Sequence, residues 1–285
     1  MSRQMPELPE VEVIRRDLEK EVIGRKIKKV EVRNTKNAMR IIRRHPKRKD
    51  FEDALIGAKI TKIDRLGKYL LIHLDNSKVL VNHLGMSGQL IQCKTSATTE
   101  NHTHIVIDFT VGGQLRYVDP RTFGEMFVSE KSEIGEIKEL QKLGLDPLEQ
   151  PLTWQYFSET LAVKKMKMKA LLMDQKFICG IGNIYSDEIL FLSGIRFDRP
   201  SDTLSSSEVR RLYRAIQEIL QDAIKYRGTS ADDEQYRDLY GAVGEYQQFL
   251  KVYQREGLPC RRCRTPIERT RWSSRSTFYC PQCQV

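Results

Sequence analysis

The sequence predicts an α+β multidomain protein, in which an N-terminal antiparallel β-sandwich with flanking helices precedes a helical domain and a small four-cysteine finger. Three observations predict this fold class. Between Lys68 and Asp119, β-branched and aromatic residues recur in short runs separated by turn residues, a pattern typical of antiparallel sandwiches. Beyond Leu143–Pro151 the apolar spacing becomes helical. Four of the six cysteines lie close to the C-terminus.

The N-terminal region begins with a predicted helix over Glu7–Val22, in which apolar residues recur every three or four positions. A predicted strand over Lys26–Arg33 follows. The segment from Gly57 to Ile63 repeats the pattern from Gly24 to Val30, which suggests two similar helix-to-strand connections, although chance would also explain it. Further strands are predicted over Tyr69–Leu74, Lys78–Leu84, His104–Phe109 and Gln114–Val118.

The later region contains predicted helices over Thr153–Ala162 and Asn183–Leu192. A capping box from Ser205 to Glu208 opens a strongly amphipathic helix that ends near Gly228. Gly228–Gly244 is polar and weakly patterned, which predicts a mobile loop. We place the sandwich domain at residues 5–132, a linker at 133–151, the helical domain at 152–245 and the finger at 246–285.

Charge is distributed unevenly along the chain. The formal net charge is +10, and the segment from Arg25 to Lys49 contains 12 Lys or Arg residues against one acid. A basic block of this density favours a polyanionic partner, although a solvated surface is the alternative. No apolar run reaches the ~18 residues of a membrane span, and the charged N-terminus does not resemble a signal peptide. We therefore expect a soluble, cytoplasmic protein.

The C-terminal cysteines form two pairs, Cys260 with Cys263 and Cys280 with Cys283, separated by sixteen residues. Four thiolates with this spacing suit one tetrahedral zinc ion. Because no coordination position would stay open, we expect the zinc to be structural. Two disulfides are the alternative. Cys93 and Cys179 stand alone in apolar surroundings and are predicted to be reduced core thiols.

The segment Pro6-Glu7-Leu8-Pro9-Glu10 is chemically unusual. If Pro6 became the first residue, its nitrogen would be a nucleophilic secondary amine with a carboxylate beside it. Five residues precede Pro6, however, and an amide nitrogen would not react. The alternative interpretation is an ordinary helix start with Pro9 in the first turn.

Six motifs in chain order identify a resemblance that spans nearly the whole sequence. After Pro6–Glu10 come Gly67–Leu70, the His83–Gly88 segment and the Asp119–Gly124 segment, and later Gly180–Tyr185 and Tyr279–Gln284. In this order they resemble bacterial zinc-finger formamidopyrimidine-DNA glycosylases, which remove 8-oxoguanine and ring-opened purines from DNA. The resemblance implies a β-sandwich, a helix-two-turns-helix domain and a zinc finger, with double-stranded DNA in the cleft between them.

The resemblance also implies roles for individual residues. Pro6 would attack the sugar, Glu7 would transfer protons, and Lys68 and Arg275 would complete the catalytic set. Such an enzyme would be a bifunctional glycosylase and abasic-site lyase that acts through an iminium intermediate and β,δ-elimination. Further DNA contacts are implied at Met86, His102, Arg121, Phe123, Lys169, Asn183 and Arg275.

Ordinary structural roles are the alternatives for several of these residues. Met86 and Phe123 would suit a sandwich core, Lys68 a solvated strand, and Asn183 a helix N-cap. The sequence also departs from the family pattern in three places: the residues before Pro6, Thr122 in place of a second basic residue, and Ser273-Ser274 before Arg275. The segment Gly228–Gly244 does not match closely enough to name a residue that reads the lesion.

Three functions follow from these observations. The first is a monomeric glycosylase and lyase that works on bacterial DNA. The second is a non-catalytic paralogue that binds damaged or abasic DNA with Pro6 blocked. The third, which the N-terminal motifs disfavour, is a zinc-ribbon nucleic-acid-binding module of unrelated function.

Overall fold

The computed structural model describes residues 5–149, 152–230, 235–272 and 275–285. The chain forms two compact units, and neither is continuous in sequence. One unit, here the sandwich unit, combines the N-terminal region through Gln141 with Tyr226–Glu245. The other, here the helical unit, contains Lys142–Lys225 and Tyr246–Val285.

Two four-stranded antiparallel sheets make up the sandwich unit. One has the strand order β1-β6-β7-β5 and the other the order β2-β3-β4-β8. The strands are β1 (Ile27–Val32), β2 (Ile60–Leu66), β3 (Tyr69–Leu74), β4 (Lys78–His83), β5 (Gln89–Cys93), β6 (Thr103–Phe109), β7 (Gln114–Val118) and β8 (Glu125–Glu130).

Helices α1 (Leu8–Val22), α2 (Lys36–Ile41), α3 (Arg48–Leu55) and α4 (Lys138–Gln141) belong to the same unit, with a 3-10 helix over Lys131–Glu136. The apolar face predicted for α1 is buried with both sheets in one hydrophobic core. The repeated glycine segments pair with each other, because Lys26 and Lys59 form an antiparallel bridge. Gly24 and Gly57 both have φ near +80°, so each ends its helix in a conformation that favours glycine.

The segment Tyr226–Glu245 returns from the helical unit to pack on the sandwich unit. Arg227 forms ion pairs with Asp17 on α1 and with Asp238. The backbone N–H of Gln92 donates to the carbonyl of Leu239 at 2.8 Å. The sequence predicted a mobile loop here, whereas the described residues include the buried side chains of Tyr236 and Leu239. Packing against α1, which local sequence does not reveal, accounts for the difference.

The helical unit contains α5 (Trp154–Ala162), α6 (Met168–Met173), α7 (Asn183–Ser193) and α8 (Ser206–Lys225), with 3-10 helices over Ser201–Thr203 and Tyr246–Phe249. It ends in a hairpin of β9 (Glu268–Trp272) and β10 (Arg275–Tyr279). The capping box of α8 forms as predicted, since the N–H of Ser205 donates to Glu208 Oε2 at 2.8 Å. No helix within the described ranges is both long enough and apolar enough to cross a bilayer.

The remaining predictions on cysteines are partly confirmed. Cys179 is buried, and Cys93 on β5 is half-buried. Both are outside disulfides. Residues 1–4 and Ser273-Ser274, where the sequence departs from the family pattern, lie outside the described residues.

Candidate active site

The predicted catalytic pair lies at the start of α1. Pro6 is buried and Glu7 is 3% exposed. The backbone N–H of Glu7 donates to Glu10 Oε2 at 2.8 Å, and Glu10 Oε1 accepts from the N–H of Thr229 at the same distance. One carboxylate therefore fixes the peptide after Pro6 and also holds the returning segment.

Lys68 lies in the turn that joins β2 to β3 and is 7% exposed. Gly67 shapes this turn with φ +56°. The buried Arg65 donates from Nη1 to the carbonyl of Gly67 at 3.1 Å and from Nε to Glu12 Oε2 at 3.0 Å. Arg65 therefore links the turn that contains Lys68 with helix α1.

Arginines also keep Glu12 ionised. Burial alone would raise the pKa of this carboxyl, but hydrogen bonds from Arg15, Arg16 and Arg65 outweigh burial, so its pKa is lowered. A carboxylate surrounded by guanidinium groups is a stable support for a cationic turn.

His83 is a further candidate for this site that was not predicted from the sequence. Its ring stacks at a tilt on Tyr69, with centroids 4.6 Å apart. Burial, followed by the positive charge of Lys68, lowers the pKa of His83 to about 4. The imidazole is therefore neutral beside Lys68, and its Nδ1 accepts from the N–H of Gly85 at 3.2 Å. Its place in the His83–Gly88 motif was the available signal.

Met86, Arg121 and Phe123 lie on two loops that Asp119 holds together. The fully buried Asp119 accepts from Ser87 Oγ at 2.6 Å and from the N–H of Gly124 at 2.9 Å. A Cβ on Gly85 would lie 2.5 Å from the backbone of Phe123, so glycine is required for this contact. The sequence could not reveal Asp119 as the organising residue, because its partners lie on both loops.

These loops present an apolar surface to solvent. Phe123 is 55% exposed, and the guanidinium of Arg121 lies 5.1 Å from the centre of its ring. Met86 is half-buried. An exposed aromatic ring held on a rigid loop can stack on a base or fill a gap in a duplex. The structure thus brings Phe123 out of the core, where the alternative interpretation placed it.

His102 lies apart from these side chains on an exposed loop and has φ +64°. Its carbonyl accepts from the N–H of Asp119 at 3.1 Å. The buried Arg116 supports the preceding residues by donating to the carbonyls of Ala97 and Thr98 at 2.8 and 2.7 Å.

In the helical unit, Asn183 is the first residue of α7. Gly182 is the N-cap, so the alternative that made Asn183 a helix cap is wrong. The side-chain amide of Asn183 instead donates to the carbonyl of Ser276 on β10 at 3.1 Å. The sequence around Asn183 could not predict this hydrogen bond, because Ser276 lies 93 positions away in the chain.

Lys169 approaches the same carbonyl. Its ammonium donates to Asp187 Oδ1 at 2.7 Å and to Ser276 O at 3.4 Å. Lys169 and Asp187 are each 1% exposed, and burial raises the pKa of Asp187 to about 7, opposed by the nearby Lys169. Arg275, the neighbour of Ser276, is exposed at the start of β10. Three predicted contacts, Lys169, Asn183 and Arg275, therefore lie at the start of β10.

The four finger cysteines are arranged for one metal ion. Their sulfur atoms all lie within 4.8 Å of one another, and Sγ of Cys263 is 3.4 Å from that of Cys280. Zinc–sulfur bonds of about 2.3 Å in a tetrahedron separate the sulfurs by roughly 3.8 Å, so the residues fit. Hydrogen bonds from Thr265 lower the pKa of Cys263 to about 6, whereas burial raises the pKa of Cys280 and of Cys283. Zinc binds the thiolate form, so metal binding would release protons from these cysteines.

The sandwich carries a cationic turn at Lys68 and an exposed aromatic loop at Phe123, and the same chain has a zinc finger. This combination is typical of a nucleic-acid-binding protein. Family models match three parts of the chain. One described as Formamidopyrimidine-DNA glycosylase N-terminal domain covers residues 5–126. One described as Formamidopyrimidine-DNA glycosylase H2TH domain covers residues 143–235, and a zinc finger found in FPG and IleRS covers 257–285.

Full-length relatives agree. Formamidopyrimidine-DNA glycosylases of Pelotomaculum thermopropionicum and Herpetosiphon aurantiacus are each 41% identical, with coverage of at least 98% of this chain and 99% of the relative. The chain belongs to the formamidopyrimidine-DNA glycosylase family. The structure of MutM (Fpg) from Thermus thermophilus is 37% identical with a TM-score of 0.86, and covers 98% of each chain.

A second solved structure is the complex between Lactococcus lactis Fpg and DNA containing an abasic site, 33% identical with a TM-score of 0.88, which covers 98% of this chain and 99% of that one. The family models and the solved structures confirm the predicted fold class. The zinc-finger family model and the cluster of four cysteines confirm the structural zinc ion. The individual residue roles and the domain boundaries stay predictions.

Proposed function

We propose that this chain is a bifunctional DNA glycosylase and abasic-site lyase of base excision repair, acting on 8-oxoguanine and formamidopyrimidines in duplex DNA. Relatives that match over the whole chain are named formamidopyrimidine-DNA glycosylases. Solved relatives hold DNA with an abasic site, with carbocyclic 8-oxo-G, or with Fapy-dG.

One observation carries the chemistry: Pro6 lies buried at the start of α1 beside Glu7, with the intervening peptide fixed by Glu10. In a chain that begins at Pro6, the nitrogen lone pair attacks C1′ of the damaged nucleotide. The bond from C1′ to the base breaks, and the base leaves with that electron pair and a proton. Glu7 is the adjacent proton-transfer group.

Loss of the N–H proton of Pro6 leaves an aminal, in which C1′ carries both the proline nitrogen and O4′. The C1′–O4′ bond then breaks as Glu7 passes a proton to O4′, and the resulting iminium ion between Pro6 and the opened sugar makes the neighbouring C2′ proton acidic. Loss of that proton expels the phosphate on the 3′ side, and a second elimination expels the phosphate on the 5′ side. In the sandwich unit, Lys68 lies beside the neutral His83 and would hold a phosphate near the reacting sugar.

The damaged nucleotide must leave the base stack before this chemistry, at a cost of a few kcal/mol. Met86, Arg121 and Phe123 would fill the vacated space. In the helical unit, Asn183 and Arg275 would contact phosphates around the hairpin. The zinc ion, when bound, supplies the cross-link that holds this hairpin together; it has no part in the reaction.

The N-terminus decides between this function and a second one. The match to the family model begins at residue 5, which favours a working protein that starts translation at Met5 and loses that methionine. If residues 1–5 are retained, Pro6 is an amide and the chain is a non-catalytic protein that binds damaged DNA. Intact-mass measurement of active protein from the native gene decides the start, and retention of residues 1–4 would contradict our proposal.

Trapping with borohydride tests the covalent step. Borohydride reduces an iminium ion to a stable amine, so protein that begins at Pro6 should become linked to a duplex with 8-oxoguanine opposite cytosine. Protein with a verified Met1 terminus is the matched control and should give no adduct. Equal trapping by the two forms would mean that a lysine is the nucleophile.

We further propose that the protein is a monomer in the bacterial cytoplasm, where its DNA substrate lies. Light scattering during size-exclusion chromatography would measure the mass in solution, and cell fractionation would measure the location. A dimeric mass or recovery with the envelope would contradict the respective proposal.

A further inference from the structure

We infer that helices α2 and α3 and the turn between them form an additional contact surface for the phosphate backbone of duplex DNA, distinct from the candidate active site. We name this surface the basic platform and define it by Lys36, Arg40, Lys47, Arg48 and Lys49. The inference rests on the proposed function only in taking DNA as the polyanion.

The basic platform contains most of the unpaired cations of the basic block, since five of the other seven described cations between Arg25 and Lys49 form ion pairs. Neighbouring cations are neutralised, for example Arg33 by Glu31 and both Arg43 and Arg44 by Glu125. Among the described residues, by contrast, no carboxylate pairs with any of the five platform cations. Four of them are exposed, and Arg48 is half-buried. Unneutralised cations collected on one surface are the electrostatic footprint of a polyanion site.

A rigid support carries these charges. Helix α2 buries Ala38 and Ile41, and α3 buries Phe51 and Leu55, so the charged faces of both helices point away from the core. Between the helices, His45 Nε2 accepts from the N–H of Val128 at 3.0 Å. The platform is therefore fixed to strand β8 and does not need to order itself when it binds.

The platform is also concave. A cleft of about 880 Å³ is lined by Lys36, Lys47, Arg48 and Lys49 together with the carboxylates of Glu52 and Asp53. Cations outnumber carboxylates two to one there, and Glu52 already accepts from the N–H of Val32 at 2.8 Å. A concave surface with net positive charge attracts an anionic partner. The open form suits an extended backbone better than an enclosed small ligand.

The platform borders the predicted DNA-contacting loops. Arg43 and Arg44, between α2 and α3, bind Glu125, and Glu125 follows the loop that carries Phe123. Duplex that flanks the lesion, or a separate undamaged duplex, would present the same phosphates to this surface. The test below distinguishes these two sources.

Neutralising the platform should reduce the salt dependence of DNA binding. The variant combines Lys36→Gln, Lys47→Gln and Lys49→Gln, and the matched control combines Lys20→Gln, Lys94→Gln and Lys131→Gln, which are exposed lysines of the same unit. Dissociation constants for undamaged duplex are measured across salt concentrations. Three lost phosphate contacts should flatten the log–log slope by about 2.7, at ~0.9 per phosphate, while the control keeps the wild-type slope.

Duplex length separates the two sources. If the platform binds flanking duplex, its variant should differ from wild type on a long duplex and match it on one that barely covers the lesion. If it binds a separate duplex, wild type should take up two short duplexes per chain and the variant one. An unchanged slope at every length, or equal flattening in the control, would overturn the inference.

Single-turnover cleavage of abasic-site DNA at saturating enzyme distinguishes failure of the platform from failure of the proposed function. Both triple variants should cleave at the wild-type rate, because no substituted lysine belongs to the candidate active site; this also shows that they fold. If wild type fails to cleave while the platform variant still flattens the slope, the proposed function fails and the platform stands.

Discussion

Glu10 shows how one side chain can serve two parts of the chain. Its carboxylate accepts hydrogen bonds from the backbone N–H of Glu7 and from the backbone N–H of Thr229. Thr229 lies 219 positions after Glu10 in the chain. The Glu7 side chain takes part in the capping box of α1 and is 3% exposed. In the proposed reaction, this buried carboxyl group next to Pro6 would exchange a proton with the sugar.

Glu7→Gln should slow base release by at least roughly 100-fold, which is typical for loss of a general acid or base. The amide keeps the size and the hydrogen-bond acceptor of the carboxylate, so lesion binding should be retained. Single-turnover release of 8-oxoguanine and a binding titration measure the two effects. Glu19→Gln, an exposed position on the same helix, is the control. A Glu7→Gln enzyme with the wild-type rate would show that Glu7 is not a proton-transfer group.

Residue types could be read from the sequence, but their partners could not. The motif around Asn183 predicted its importance, yet its bond to Ser276 spans 93 positions. Lys169 was named as a DNA contact, and its buried pair with Asp187 depends on the packing of α6 against α7. Partners that meet only in the folded chain leave no local pattern.

At the scale of elements, the helices with strong apolar periodicity were predicted within about three residues at each end. The strands β2, β5 and β8 were not named. β2 contains Lys62, Asp64 and Arg65, whose charges hide the alternating pattern, although Arg65 is buried against Glu12. β5 has only five residues. Tertiary contacts decide such short segments.

The start of α8 should make stability depend on pH. A hydrogen bond from Arg199 lowers the pKa of Glu208 to about 2, and bonds from Ser205 act in the same direction. A lowered folded-state pKa adds stability above the unfolded value of 4.5, and this stability is lost as the pH falls from there toward 2. Since Glu208 is partly exposed, we expect roughly 1 to 2 kcal/mol at pH 7.

Glu208→Gln should therefore reduce the free energy of unfolding of the helical unit at pH 7 and have a smaller effect at pH 3, where part of this stability is already lost. Denaturant titration at both values measures the difference, with Glu218→Gln on the same helix as control. An equal effect of Glu208→Gln at both values would show that charge at this position does not stabilise α8.

At the scale of the whole molecule, the zinc finger belongs to the helical unit and the catalytic pair to the sandwich unit. Cys260→Ser or Cys283→Ser should lose the metal, unfold the hairpin that carries Arg275, and weaken DNA binding, since so small a finger depends on its metal for folding. The sandwich unit should stay folded. Metal analysis, duplex titration and hydrogen exchange over α1 measure these effects. Unchanged duplex affinity after a chelator removes the metal would contradict the prediction.

The discontinuity of the sandwich unit has a consequence for synthesis on the ribosome. Asp17 and Arg227 are 210 positions apart, and chains emerge from the N-terminus at about 5–20 residues per second. Asp17 on α1 therefore lacks this cation until most of the polypeptide has been made. The first helix to be translated is among the last to complete its contacts, and a chain released early would expose the segment that begins with Pro6.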